Sequence, residues 1–300
     1  MRMNFLLLYY TGTFHTRYLT KMIEKRLCEK GHQVKTYDIT SQNPVDLSSY
    51  DAIGIGYPIY AFNSPQLMNR YLKSVHLPKE KRYFIYKQSG ETFGLNDASS
   101  RIIKRILKRN KCVLENEYHF IMPYNIHFRY DDAFVKEILK YDQRLLDIFM
   151  YEFFHGIHRI INSNFLYNFT SALFSIQRPG AHINGKFYRV DKAKCIQCNA
   201  CIQMCPVNNI TKKNDRIRFK NHCQMCMRCS FFCPKDAISI GLINGWKVNG
   251  AYHFDQIKSN SSIPDTYITD QKKGFYRCFI KTFNMIDSLY FSYFDRSSMD

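Results

Sequence analysis

The stretch Phe5-Leu6-Leu7-Leu8-Tyr9-Tyr10-Thr11-Gly12-Thr13-Phe14-His15-Thr16-Arg17-Tyr18-Leu19 runs from a short apolar segment through a polar loop into a helical pattern. A strand, a glycine-containing turn with three threonines and a helix in direct succession form the opening unit of an alternating β/α chain.

The alternation continues to about residue 155. Strands are expected over Phe5–Tyr10, Gln33–Ile39, Ala52–Tyr57, Tyr83–Lys87 and Tyr118–Met122. The run Ala52-Ile53-Gly54-Ile55-Gly56 lacks polar alternation, as a central strand covered on both faces does. Between the strands, one helical stripe from Tyr18 to Leu27 is closed by Gly31, and a second from Leu67 to Val75 is opened by Ser64-Pro65. A third helix carries Ile102, Ile103, Ile106 and Leu107, and a fourth runs from Asp132 past Phe149. The pattern predicts an α/β doubly wound parallel sheet of five strands over 1–155.

Ligands of such sheets bind beyond the carboxyl ends of the strands. Three unusual loops lie there: Thr11-Gly12-Thr13-Phe14-His15-Thr16, then Pro58-Ile59-Tyr60 continuing through Phe62 to Pro65, then Ser89-Gly90-Glu91. Amides at the first helix's N-terminus, with the hydroxyls of Thr11, Thr13 and Thr16, are expected to hold a phosphate; ordinary N-capping accounts for the same threonines. Tyr60 or Phe62 and the Ser89-Gly90 turn would flank a planar ring.

Residues 156–183 read as a connecting helical segment. Ile161, Phe165, Phe169 and Leu173 recur at a spacing of four, and the helix is expected to pack between domains rather than bind a membrane, since it lacks a strongly basic opposite face, and to stop near Arg178-Pro179-Gly180. Over 184–245 the chain carries Cys195, Cys198, Cys201 and Cys205-Pro206, then Cys223, Cys226, Cys229 and Cys233-Pro234. Both runs fit C-x2-C-x2-C-x3-C-P, and one is the other displaced by 28 residues, with Ile210 repeated as Ile238.

Three close thiolates wrap three irons of a cubane, and the fourth iron is reached from elsewhere, so the last cysteine of each run serves the other cluster. Cys195, Cys198, Cys201 and Cys233 are expected to hold one 4Fe-4S cluster, and Cys205, Cys223, Cys226 and Cys229 a second. Zinc is usually fed by two separated C-x2-C pairs, and radical chemistry built on a three-cysteine cluster needs an open iron; neither matches two complete quartets. Cys28 and Cys112 read as ordinary small residues, and Cys278 is left unassigned. Beyond residue 245 a C-terminal extension over 246–300 has a polar stretch from Lys258 to Gln271, then an amphipathic stripe from Phe275 to Phe294.

Lys and Arg number 43 against 25 Asp and Glu, a formal charge of +18. Two oxidised clusters and a flavin phosphate at about −2 each would lower the excess to about +12. The basic run Lys104, Arg105, Lys108, Arg109, Lys111 has no recognition motif beside it and reads as a solvated face, with no specific nucleic-acid partner. Eight clustered cysteines, no secretory signal and no run of eighteen apolar residues lead to the expectation of a cytoplasmic protein without a transmembrane segment.

TGTFHT is similar to the S-G-T-G-N-T phosphate loop of flavodoxins, with Phe14 in place of the second glycine and His15 in place of asparagine. The quartets resemble those of bacterial dicluster ferredoxins. Together with GYPIY (56–60), KQSGE (87–91), EYHFIMPYN (117–125), CMRCSFFCPKDAI (226–238) and NGWKVNG (244–250), they resemble the flavodoxin-ferredoxin fusion family. The resemblance implies a flavodoxin-like sheet of order 2-1-3-4-5 followed by a small α+β dicluster ferredoxin-like domain. It implies FMN held by Thr11, Gly12, Thr13, Phe14, His15, Thr16, Pro58, Ile59, Tyr60, Ser89 and Gly90. His15 is expected either to donate to the phosphate or to be a solvated first-turn residue. The expected role is electron transfer between FMN and two clusters, with redox proteins, acidic ones included, as partners. The alternative is a ferredoxin-type carrier whose flavodoxin-like domain is empty and serves as a docking module. No residue stands out as a catalytic acid, base or nucleophile.

Overall fold

The computed structural model describes residues 2–41, 45–269, 271 and 274–295; residue 270 of the polar stretch expected at 258–271 lies outside them. The chain runs β1 (Asn4–Tyr9), α1 (His15–Glu29), β2 (Gln33–Asp38), β3 (Ala52–Pro58), α2 (Gln66–Ser74), β4 (Arg82–Ser89), α3 (Arg101–Arg109), β5 (Val113–Ile121) and α4 (Asp132–Phe154). These five strands form one parallel sheet of order β2-β1-β3-β4-β5, the flavodoxin-like order.

Period-two alternation sends Phe5, Leu7 and Tyr9 to the face covered by α1 and α4, and Leu6, Leu8 and Tyr10 to the face covered by α2 and α3. Gly54 and Gly56 make room for rings of the neighbouring strand: a Cβ on Gly54 would lie 2.6 Å from Phe84, and one on Gly56 2.2 Å from Tyr86.

Strand β5 begins five residues before the expected Tyr118. Its first half, Val113 to Glu117, looks too polar for a strand, yet Asn116 and Glu117 are buried because the fold supplies partners. Glu117 meets the Lys87 ammonium at 2.7 Å and the Lys104 ammonium at 2.5 Å. Burial pushes Lys87 down from its ordinary range, while the two ammonium groups hold the Glu117 carboxyl below its own.

The connecting segment also departs from expectation. Residues 158–164 are not helical: the Arg159 carbonyl accepts from the Glu117 amide at 2.7 Å and the Arg159 amide donates to the Glu115 carbonyl at 3.2 Å, so the chain covers the open edge of β5. The helix comes in two pieces, α5 (Phe165–Leu173) and α6 (Gln177–Gly185). Pro179 does not end it, because it falls in the first turn of α6, where no amide donor is needed. Phe165, Phe169 and Leu173 face outward rather than packing between domains.

The cysteine region comprises β6 (Arg189–Val190), α7 (Ala200–Gln203), β7 (Ile210–Lys213), β8 (Arg216–Phe219), α8 (Arg228–Phe231) and β9 (Ile238–Ser239). β6 pairs antiparallel with β9, and β7 with β8. Then follow α9 (Phe254–Ser259) and α10 (Arg277–Phe294). α10 lies on α4, with Tyr141 and Phe283 stacked at 3.8 Å and Phe134 and Phe279 edge to face at 4.9 Å.

Removing one partner of a buried charge group leaves the others uncompensated, at a cost of about 3–5 kcal/mol. Glu117→Gln is therefore expected to lower the unfolding free energy by about that amount, read from urea denaturation.

Candidate metal centres and flavin-side cavity

The two cysteine runs repeat in backbone geometry as well as in sequence. Gln197, Asn199 and Asn208 have φ of 53°, 59° and 50°; their equivalents Met225, Met227 and Asp236 have 49°, 61° and 46°. The Asn209 amide donates to Cys205 Sγ at 3.2 Å, and the equivalent Ala237 amide donates to Cys233 Sγ at 3.3 Å. These left-handed residues tighten each loop, and the three close cysteines of each run line one cavity.

Two cavities result. One is lined by Cys195, Cys198, Cys201 and Cys233, with Val190, Ile217 and Ile238 around them; Cys229 also reaches its wall. The other is lined by Cys205, Cys223, Cys226 and Cys229, with Tyr188 and Phe219. Among the described residues no group of three or more His, Cys, Asp or Glu converges on a single-ion site. The cysteines line the two cavities instead. Around them the apolar core is small: Tyr188, Met227, Ile238 and Ile240. A domain with so little apolar burial depends on cross-links for stability. Burial pushes the Cys201 thiol up to about 11 and the Cys223 thiol up to about 12.

A larger cavity of about 540 Å³ opens at the carboxyl ends of β3, β4 and β5. Its walls include Pro58, Ile59, Tyr60, Ser89, Gly90 and His15, all singled out from the sequence. Tyr124, Asn125, Phe174 and Trp246 also line it, and Met225 and Met227 reach it from the second cysteine run. The volume lies in the range that small cofactors occupy. Gly90 is where backbone must come close, since a Cβ there would sit 2.2 Å from the Tyr124 ring.

Thr11, Gly12, Thr13, Phe14 and Thr16 do not line this cavity but form the turn beside it. Phe14 keeps the left-handed backbone that a glycine would adopt, φ 67°, and its ring packs on Phe232 at 4.8 Å. Arg228 closes over the turn, donating from Nε to the Gly12 carbonyl at 2.8 Å and from Nη2 to the Thr11 carbonyl at 2.6 Å. Among the described residues no protein acceptor meets the amides of Gly12 to Thr16, and the buried Thr11 hydroxyl has no partner. Thr13 is held by Asn125 and Thr16 by Gln88.

His15 is neither solvated nor charged. It is buried against the edges of Phe231, Tyr252 and Phe254, and burial pushes it down to about 3. Arg228, Asn125 and Trp246 were not identified as site residues from the sequence. All three belong to stretches that carried the family resemblance, but nothing local singled them out as site residues.

Residues 188–211 match the family model described as a 4Fe-4S binding domain, a span that contains the first cysteine run. No curated protein matches the chain. Among solved structures the chain is similar to a flavodoxin from the domain Archaea, at 13% identity over 48% of this chain and 94% of that one, TM-score 0.36. It is also similar to a Fusobacterium nucleatum flavodoxin bound to flavin mononucleotide (16% identity, 37% of this chain and 68% of that one, TM-score 0.31). A third is the rubredoxin:oxygen oxidoreductase of the anaerobe Desulfovibrio gigas (14% identity, 48% and 36%, TM-score 0.34). The sheet order and the family match together define a flavodoxin-like fold followed by a ferredoxin-like region with at least one 4Fe-4S site.

The depressed His15 predicts a pH dependence with a definite sign. The unfolded ring binds a proton near 6.5 and the folded one only near 3, so its contribution to stability is intact above 6.5 and is lost as pH falls from 6.5 towards 3. His15→Phe, an apolar ring in the same aromatic cage, should flatten that part of the stability curve measured by denaturation at stepped pH.

Proposed function

We propose that the protein is an electron-transfer flavoprotein of the flavodoxin-ferredoxin fusion type, with FMN at the cavity and two 4Fe-4S clusters. The observation that carries this reading is that a single cavity is walled by the β3 and β4 loops and by Met225 and Met227, the residues on either side of Cys226. When bound, FMN supplies one- or two-electron exchange, and a 4Fe-4S cluster exchanges one electron at a time.

The chain's residues divide the work. The unpaired amides of the Gly12–Thr16 turn and the Thr11 hydroxyl are the groups fitted to a phosphate, and Tyr124, Phe174 and Trp246 to a planar ring. Arg228 holds the turn against the cysteine loop, and Met225 and Met227, the neighbours of Cys226, line the flavin-side cavity. Linking the two centres in one chain makes their encounter intramolecular. The partners that fit are redox proteins, and the reducing conditions that keep clustered thiols available for iron suit a cytoplasmic setting.

One observation favours the alternative of an empty docking module. A Cβ on Gly12 would lie 2.5 Å from the Tyr60 hydroxyl and 2.8 Å from the Cys226 carbonyl, so the turn is tightly covered.

Anaerobic assay of iron, sulfide and flavin separates the two. About eight irons and one FMN per chain support the proposal. A chain with the irons but no flavin, even when FMN is supplied, is the docking module. Cys233→Ala should leave about four irons, retaining the cluster of Cys223, Cys226 and Cys229. Trp246→Ala should weaken FMN roughly two- to tenfold by flavin-fluorescence titration, the worth of one aromatic contact.

A further inference from the structure

Helix α5 is attached the wrong way round for a domain linker. An amphipathic helix normally turns its apolar stripe to the core. Here only Ser171 is buried, and polar bonds do the holding: the Asn63 side chain donates to the Ser171 carbonyl at 2.8 Å, and the Ser171 hydroxyl donates to the Phe62 carbonyl at 2.9 Å. The apolar face looks out, with Phe165 84%, Leu166 63%, Phe169 59% and Leu173 63% exposed, continued by Ile176 at 72%. Exposed apolar patches of this kind mark interaction sites.

The rim of the patch is basic. Lys104 donates to the Ile161 carbonyl, which sets α3 alongside the segment, and Arg178 is pushed below its ordinary range first by burial and then by the nearby Arg101. Arg105 on the same helix is exposed. No Asp or Glu occurs anywhere between Glu152 and Asp191.

We propose that the α5 face is a docking surface for an anionic lipid bilayer, the helix lying in the interface with Phe165, Phe169 and Leu173 in the acyl boundary and Arg101, Arg105 and Arg178 against the headgroups. Apolar side chains on one face with basic residues beside them are what interfacial helices present, and each Lys or Arg near such a surface adds attraction. A second copy of the chain fits less well, because a two-fold contact here would bring two predominantly basic rims together. No described helix is long and apolar enough to cross a membrane, so the contact is one of lying on the surface. Phe174 and Gln177 also line the flavin-side cavity, so a membrane bound at α5 would stand beside its mouth.

The test is flotation of the full chain with vesicles of phosphatidylcholine, with and without phosphatidylglycerol. Binding is expected only to the phosphatidylglycerol vesicles and should weaken as salt is raised. Phe169→Asp with Leu173→Asp should reduce the bound fraction at least about tenfold, as loss of two buried apolar side chains requires. Phe165→Trp keeps the face apolar and should be quenched by brominated acyl chains when vesicles are added, which preserves the test if the aspartate variant misfolds. Absence of flotation, flotation that the aspartates leave unchanged, or an unquenched Trp overturns the proposal. So does a dimer of the wild-type chain that the aspartates dissociate, which would make a second copy the occupant.

Discussion

The Arg228 guanidinium is the interaction on which the arrangement depends. It leaves the second cysteine run, crosses to the other part of the chain and donates to the carbonyls of Thr11 and Gly12, with a third bond to Met204 at 3.0 Å. A buried cation is costly unless its donors are used, and these three carbonyls take one from each nitrogen of the guanidinium. Phe14 provides a face for the same group, its ring centroid 5.2 Å from the guanidinium carbon. The turn after β1, the second cysteine loop and the first cysteine loop are thereby fixed to one another by a single side chain.

That clasp gives the unusual loop sequence a physical reading. Glycine adopts the left-handed backbone of position 14 without steric cost. In this chain the ferredoxin-like region packs there, so the position keeps its left-handed backbone and adds a ring for Phe232 and Arg228. His15 follows the same logic: with Phe231, Tyr252 and Phe254 around it, the neutral ring is a packing element of the interface. Strain at Phe14 and desolvation at His15 are offset by contacts that exist only because the two parts of the chain meet.

The α/β alternation, its five strands and a 4Fe-4S motif were legible in the sequence because each rests on a local rule, namely hydrophobic period and cysteine spacing. What escaped depends on partners distant in the chain. The polar start of β5 is a strand only because Lys87 and Lys104 meet Glu117, and no local pattern contains that information. The α5 stripe has the right period for a helix, but period does not say which way the stripe faces; Asn63, a hundred residues earlier, decides it. Arg228 stands between two cysteines of the second run, and no local pattern tells that its acceptors lie at Thr11 and Gly12.

The central claim is that the flavin-side cavity and the second cysteine loop form one electron path. Flash reduction of FMN bound to the anaerobic holoprotein, followed by cluster absorbance, tests it most directly. The account predicts cluster bleaching with a first-order rate that does not change with protein concentration. A rate proportional to concentration, or a cluster that stays oxidised while the flavin is reduced, would contradict it.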